Sequence, residues 1–141
     1  MVSFTGSVET GSKVMGAAAA NLTKVNLELG GKAPAIVLSD ANLDLAVEAV
    51  KRSRIFNGGQ VCNAAERVYV DRKIADEFTD RLAGAMKAAK FGNPLEDLSV
   101  DYGPLINQAG LSKVESMVAR ATKEGATLVT GGRRAERDKG W

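Results

Sequence analysis

Short β-prone runs alternate with helix-favouring stretches along this chain from its first residues, and that alternation restricts the fold more than any other feature. Strands that lie parallel need a crossover of a dozen or more residues between them, and a helix of that length supplies it. Strand and helix in turn therefore predict an α/β layered fold with a largely parallel sheet. Val2-Ser3-Phe4 reads as a strand running into a Thr5-Gly6-Ser7 turn, and Val8 to Leu22 is alanine-rich and helix-favouring. Val25, Leu27 and Leu29 alternate with Lys24, Asn26 and Glu28, a period of two that predicts a strand with one buried face, ended by Gly30-Gly31.

Ala35-Ile36-Val37-Leu38 is a continuous apolar run of the kind found in strands covered on both faces, and it stops at Ser39-Asp40. Leu43, Val47, Val50 and Phe56 recur at helical spacing, predicting a helix from Leu43 to Ile55 with Asn42 or Asp40 as its cap. Asn57-Gly58-Gly59 breaks it and places Gln60-Val61-Cys62 at a glycine-rich bend. Arg67 to Val70 is the next strand, after which Asp71 can cap a helix whose stripe is Ile74, Phe78, Leu82 and Met86. Gly92-Asn93-Pro94 stops that helix. A loop through Asp101-Tyr102-Gly103-Pro104 leads to another, with Leu111, Val114, Val118 and Ala121 facing inward and Gly125 at its C-terminus. A final strand is expected over Ala126 to Thr130. The mostly charged stretch Arg133 to Trp141 reads as a chain cut inside a loop, and the start inside a strand is equally abrupt.

A chain of 141 residues, 45% apolar and 26% charged, has the size and balance of one ordinary globular domain. Its 19 basic and 17 acidic residues are mixed along the sequence and leave a net charge of +2, so charge predicts neither a nucleic-acid nor a membrane partner. Met1 is followed by neither a basic leader nor a long apolar run, and the expected location is cytoplasmic. Cysteine occurs once and histidine not at all. Those two counts exclude an internal disulfide, a Ser-His-Asp or Cys-His pair built from this chain alone, and a zinc site with imidazole ligands, so no metal is expected. Proton transfer here must rest on carboxylates, lysines, tyrosines or water.

Three places carry candidate chemistry. Gly6 and Ser7 lie in a strand-turn-helix of small residues whose backbone N–H groups form a natural seat for phosphate, although an ordinary turn or helix cap fits the same residues. Glu28 sits between Leu27 and Leu29; partial desolvation there would raise its pKa and make it a base. The same pattern describes a Glu28 that simply faces solvent from an alternating strand. Cys62 follows the glycine bend, and a turn of helix after it would expose N–H dipoles that favour the nucleophilic thiolate. A structural buried cysteine is the alternative, free cysteine being among the most buried residue types.

The order of these segments says more than any one of them. FTGS (Phe4–Ser7), then ELGGKAP (Glu28–Pro34), then GQVCNAAERV (Gly59–Val68) resembles the aldehyde dehydrogenase superfamily, over essentially the whole sequence. The 34 positions from Glu28 to Cys62 are typical of that family, and Phe91-Gly92-Asn93-Pro94 and Gly103-Pro104-Leu105-Ile106-Asn107 look like its later landmarks. QVCNAAERVYV (Gln60–Val70) looks closest to the lactaldehyde or glycolaldehyde dehydrogenase type.

The resemblance implies an aldehyde dehydrogenase-like three-layer fold truncated at both ends, with residues 1–30 the tail of a Rossmann-like coenzyme-binding domain and 31–141 the N-terminal part of the catalytic domain. It implies that Cys62 attacks an aldehyde to give a thiohemiacetal, that hydride passes to NAD or NADP, and that Glu28 activates water to hydrolyse the resulting thioester, with the Cys62 N–H donating to the oxyanion. Gly6 and Ser7 would lie against the cofactor pyrophosphate and the Leu29 backbone beside the nicotinamide carboxamide. The family's upstream cofactor and oxyanion segments, its Glu-x-Phe-Gly-Pro motif and its oligomer strands have no counterpart here, so this piece is expected to be inactive alone, its parent a homodimer or homotetramer. A non-catalytic module of the same fold, or an enzyme that hands its acyl group to coenzyme A, are the other readings. Lys32 reads as structural, and Lys51, Arg52 and Arg54 as a solvated helix face.

Overall fold

The computed structural model describes residues 1–135; the end of the charged stretch from Arg133, residues 136–141, lies outside the described residues. Its first unit is strand β1 (Val2–Gly6), helix α1 (Val8–Ala19) and strand β2 (Val25–Leu29). β1 and β2 pair in parallel, in a register that sets Thr5 beside Glu28 and Gly6 beside Leu29. The strand runs two residues further than Val2-Ser3-Phe4, so Ser7 alone makes the turn, and its Oγ accepts the Thr10 N–H at 3.2 Å as the cap of α1. Gly11 is the buried residue of α1: a β-carbon there would come within 2.7 Å of Leu29 Cδ2, so the absent side chain is what lets the helix lie on β2. The helix ends at Ala19 rather than Leu22. Thr23 N–H returns to the Ala18 carbonyl at 3.0 Å, and Leu22, 95% exposed, takes a left-handed φ of 51°.

The second unit is β3 (Pro34–Val37), α2 (Leu43–Ile55), a short 3₁₀ turn (Phe56–Gly59), β4 (Arg67–Val70) and α3 (Ala75–Ala88). β3 and β4 are again parallel, with Ala35 beside Val68 and Ile36 beside Tyr69. Asn42, not Asp40, caps α2 by accepting the Leu45 N–H at 3.1 Å. Val37, Val47, Val50 and Phe78 form the core, with Val68, Ile74 and Leu82 packed around them. Phe78 retains 2% of its surface; burying such a side chain contributes about 1.5–3 kcal/mol. Arg81 of α3 fastens the two helices, reaching Asp44 of α2 and Glu77 of its own helix at 2.5 Å each.

Four expectations change. The run Ala35 to Leu38 is covered on one face only: Val37 is buried under the helices, while Ile36 and Leu38 are exposed. Asp71 does not cap α3. Its carboxylate accepts the Lys73 N–H at 2.9 Å in a turn, and the helix starts beyond Ile74. Helix α4 (Gln108–Lys123) buries Leu111 alone of its expected stripe, with Val118 half-buried and Val114 and Ala121 exposed. Its end behaves as read: Gly125 takes φ +98°, Gly125 N–H reaches the Thr122 carbonyl and Ala126 N–H that of Ala121, which is a Schellman closure. The strand expected over Ala126 to Thr130 does not form, since among the described residues no strand pairs with it, and Leu128 and Val129 stay exposed. Among the described residues no helix is long and apolar enough to cross a membrane.

Candidate active site

Parallel pairing brings the first group of candidates together. Gly6, Ser7 and Leu29 lie at the C-terminal end of the β1–β2 pair, where a turn hands the chain to the N-terminus of α1. Leu29 points at α1, so the preceding residue, Glu28, points to the opposite face, the one on which Asn26 donates to Ser3 Oγ at 3.3 Å. Glu28 is exposed on that face. The desolvation expected from its apolar neighbours is absent, because those neighbours turn their side chains the other way.

Cys62 is exposed as well, and it does not precede a helix. It occupies a turn in which the Ala64 N–H donates to the Val61 carbonyl at 3.0 Å, and β4 follows. The turn hangs beneath a bend in which three successive residues are left-handed: Asn57 (φ 51°), Gly58 (φ 63°) and Gly59 (φ 77°). Asparagine and glycine are the residues that accept this conformation most readily. Below the thiol, Ala64 and Ala65 are buried, and the Ala65 N–H donates to Ser53 Oγ at 3.1 Å.

The segment after Glu28 runs close to the Cys62 turn. A β-carbon on Gly31 would sit 3.7 Å from the Cys62 carbonyl oxygen, which places the Gly30-Gly31 crossover against the thiol's own backbone. Polar contacts hold it there. The Arg67 guanidinium donates to the Lys32 carbonyl from Nε and Nη2 at 3.1 and 2.9 Å, and the N–H groups of Glu66 and Arg67 donate to the Ala33 carbonyl at 3.0 and 3.3 Å. Lys32 Nζ pairs with Glu66, and Arg54 Nη1 lies 3.5 Å from the other Glu66 oxygen. The Lys32 hydrogen bond and then Arg54 hold the Glu66 carboxyl below the usual carboxylate value.

Lys32, read as structural, is paired with Glu66. Arg54 is not a solvated face: its Nη2 donates to the Gly59 carbonyl at 2.7 Å. Ser53 and Glu66 were not singled out from the sequence, and Arg54 was read only as part of a solvated helix face. The available signal was Arg54 itself, a cation in the last turn of a helix just before a glycine bend, where carbonyls lack intrahelical partners. An open cleft runs along α2, lined by Leu45, Ala49, Phe56, Val61 and Asn63 among others; Cys62 is not among its lining residues.

Comparison with known proteins shows the family. The family model described as "Aldehyde dehydrogenase family" matches residues 1–141. Lactaldehyde dehydrogenase of Escherichia coli (strain K12) is 59% identical over 136 residues, covering 96% of this chain and 28% of the relative. Betaine aldehyde dehydrogenase 1 of Rhizobium meliloti (strain 1021) is 46% identical over 131 residues, 93% of this chain and 27% of the relative. A solved lactaldehyde dehydrogenase superimposes with a TM-score of 0.96 at 57% identity, covering all of this chain and 30% of that one. Betaine aldehyde dehydrogenase of Staphylococcus aureus in complex with NAD+ gives 0.93 at 42% identity, over 97% and 27%. The chain thus spans less than a third of the length of the curated relatives it matches. By its motifs, its parallel βαβ units and these matches, the chain belongs to the aldehyde dehydrogenase family.

Proposed function

We propose that this chain supplies the nucleophile, the water-activating base and part of the cofactor seat of an NAD(P)-dependent aldehyde dehydrogenase, acting on lactaldehyde or a similar small hydroxyaldehyde. The observation that carries the reading is the approach of Gly31, two residues beyond the end of the Glu28 strand, to the backbone of an exposed thiol: a β-carbon added there would lie 3.7 Å from the Cys62 carbonyl oxygen. Residues 1–30 then belong to the coenzyme-binding domain and 31–141 to the catalytic domain. The relative at 59% identity is a lactaldehyde dehydrogenase, which is the support for that substrate class.

The Cys62 thiolate attacks the aldehyde carbon, and the Cys62 N–H stabilises the oxygen that gains charge. A nicotinamide cofactor, when bound, takes up the hydride that turns the thiohemiacetal into a thioester. Glu28 removes a proton from water, which adds to the thioester carbonyl and releases the carboxylic acid and the thiol.

The residues at the head of α1 fit a dinucleotide. Thr10 N–H goes to Ser7 Oγ and Gly11 N–H to the Ser7 carbonyl, which leaves the first-turn N–H groups of Val8 and Glu9 facing outward for a phosphate. A β-carbon on Gly6 would come within 2.6 Å of the Phe4 ring, and the Glu9 carboxylate is paired with Lys13 at 2.8 Å. Gly6, Ser7 and the Leu29 backbone are the groups that would hold the cofactor.

Alkylation tests the nucleophile. Iodoacetamide near neutral pH labels Cys62 stoichiometrically and much faster than free cysteine; labelling at the rate of free cysteine defeats the assignment. Turnover belongs to the longer framework that the relatives possess, so a burst of NAD reduction by these 141 residues alone would overturn that part of the reading.

A further inference from the structure

The loop that carries Cys62 is closed by one side chain. Arg54 binds the Gly59 carbonyl through Nη2 at 2.7 Å and faces Glu66 through Nη1 at 3.5 Å, so the residues three before and four after the cysteine are attached to the same guanidinium. Glu66 presents its other oxygen to Lys32, whose neighbour Gly31 runs close to the Cys62 backbone, an added β-carbon there lying 3.7 Å from the Cys62 carbonyl oxygen. Helix α2, the crossover after Glu28 and the start of β4 are thereby joined at a single carboxylate. Its side chain keeps 25% of its accessible surface and that of Arg54 33%, so solvent screens these contacts less than it screens a fully exposed pair.

Charge alone does not require such an arrangement. Arg54 could satisfy the Gly59 carbonyl without a carboxylate behind it, and Lys32 could extend into water. What Glu66 adds is a fixed distance between them. An orientation error of about 1 Å at a reacting group costs on the order of a hundredfold in rate. A thiol at the tip of a turn has no packing of its own to hold it, so its supports must lie at the ends of the loop.

We propose that Glu66 is a positioning residue for Cys62: by holding Arg54 and Lys32 together it closes the loop around the thiol and fixes the direction from which the sulfur meets its substrate. The inference rests on the reading of Cys62 as the nucleophile. It concerns a residue that touches no reacting atom and acts only through the loop.

The test uses the full chain and three substitutions, Glu66→Gln, Arg54→Met and the pair together, each followed by amide hydrogen exchange and by the rate of Cys62 alkylation with iodoacetamide. Each single variant is expected to speed exchange at residues 60–64 by fivefold or more and to slow alkylation by threefold or more, with exchange at Phe78 in the core unchanged. The double variant adds little to either single one, because both open the same closure. Glu66→Asp, which keeps the charge on a shorter arm, restores part of both rates. Exchange that rises at Phe78 in step with residues 60–64, or effects that simply add, would show a general loss of stability and overturn the proposal. So would faster exchange with unchanged alkylation. The unsubstituted chain decides the other matter separately: if its thiol reacts no faster than free cysteine, the nucleophile assignment fails, while the exchange data still report whether the loop is closed by Glu66.

Discussion

The Arg54 guanidinium reaches the Gly59 carbonyl at 2.7 Å by occupying the space in which a β-carbon on Gly59 would stand. That β-carbon would also come within 2.8 Å of the Arg54 backbone oxygen, and Gly59 has a φ of +77°. Gly59→Ala is therefore expected to destabilise the chain by about 2 kcal/mol or more, combining left-handed strain with the displaced arginine. Gly58→Ala bears only the strain, since its nearest neighbour is the flexible Gln60 amide at 3.2 Å, and should cost about 1 kcal/mol. Urea unfolding of the two variants side by side checks the order, and equal midpoints would contradict it.

The Glu66 carboxyl is held below its ordinary value of 4.5 by its hydrogen bond from Lys32 and, secondarily, by Arg54. A group with a depressed folded value stabilises the fold above the unfolded value and ceases to do so as pH falls through the folded one. Chain and Glu66→Gln variant should thus differ most in urea midpoint near neutral pH and converge as pH falls through the lowered folded value of Glu66. Asp97, also lowered, chiefly by the Ser99 backbone N–H, is common to both proteins and cancels in the comparison. A difference that stays constant from pH 7 to pH 3 would mean that the pairing contributes nothing.

Phe78 retains 2% of its surface and Phe56 retains 66%. Truncating the first leaves a cavity among Val37, Val47 and Val50, and Phe78→Ala should cost about 3–5 kcal/mol, whereas Phe56→Ala should stay within about 0.5 kcal/mol. Phe56, expected on the apolar stripe of α2, instead lies exposed in the 3₁₀ turn that follows the helix, because the chain bends there before the ring can reach the core. A Phe56→Ala protein that unfolds as early as Phe78→Ala would show that this aromatic ring belongs to the core.

Local chemistry made most of the fold legible. The Asn42 cap, the left-handed Gly125 and the four-residue spacing through Phe78 are each written in a few adjacent residues, and each forms. What failed needed a partner. Ala126 to Thr130 has the composition of a strand and no neighbouring strand among the described residues, and Ile36 and Leu38 are apolar without an element packed over them. At the site, Glu28 and Cys62 stood out because their motifs are contiguous. Arg54 and Glu66 did not, since their meaning arises only when the turn at Asn57–Gly59 folds the end of α2 back towards β4.

Exposure separates chemistry from stability at the two candidate residues. Cys62 lies in a turn and Glu28 on the open face of β2, and neither contributes packing to the core around Phe78. Cys62→Ser and Glu28→Gln should therefore unfold within about 0.5 kcal/mol of the unsubstituted chain. Their chemical consequences differ. Cys62→Ser removes the thiol and with it all iodoacetamide labelling. Glu28→Gln keeps the thiol accessible, but within a complete enzyme of this family it should slow release of the carboxylic acid by about 10²–10⁴-fold, so that a thioester on Cys62 accumulates and is seen as added mass on the peptide that carries it. If Glu28→Gln instead releases acid at the unsubstituted rate, another group activates the water, and Glu28 is the solvent-facing residue of an alternating strand.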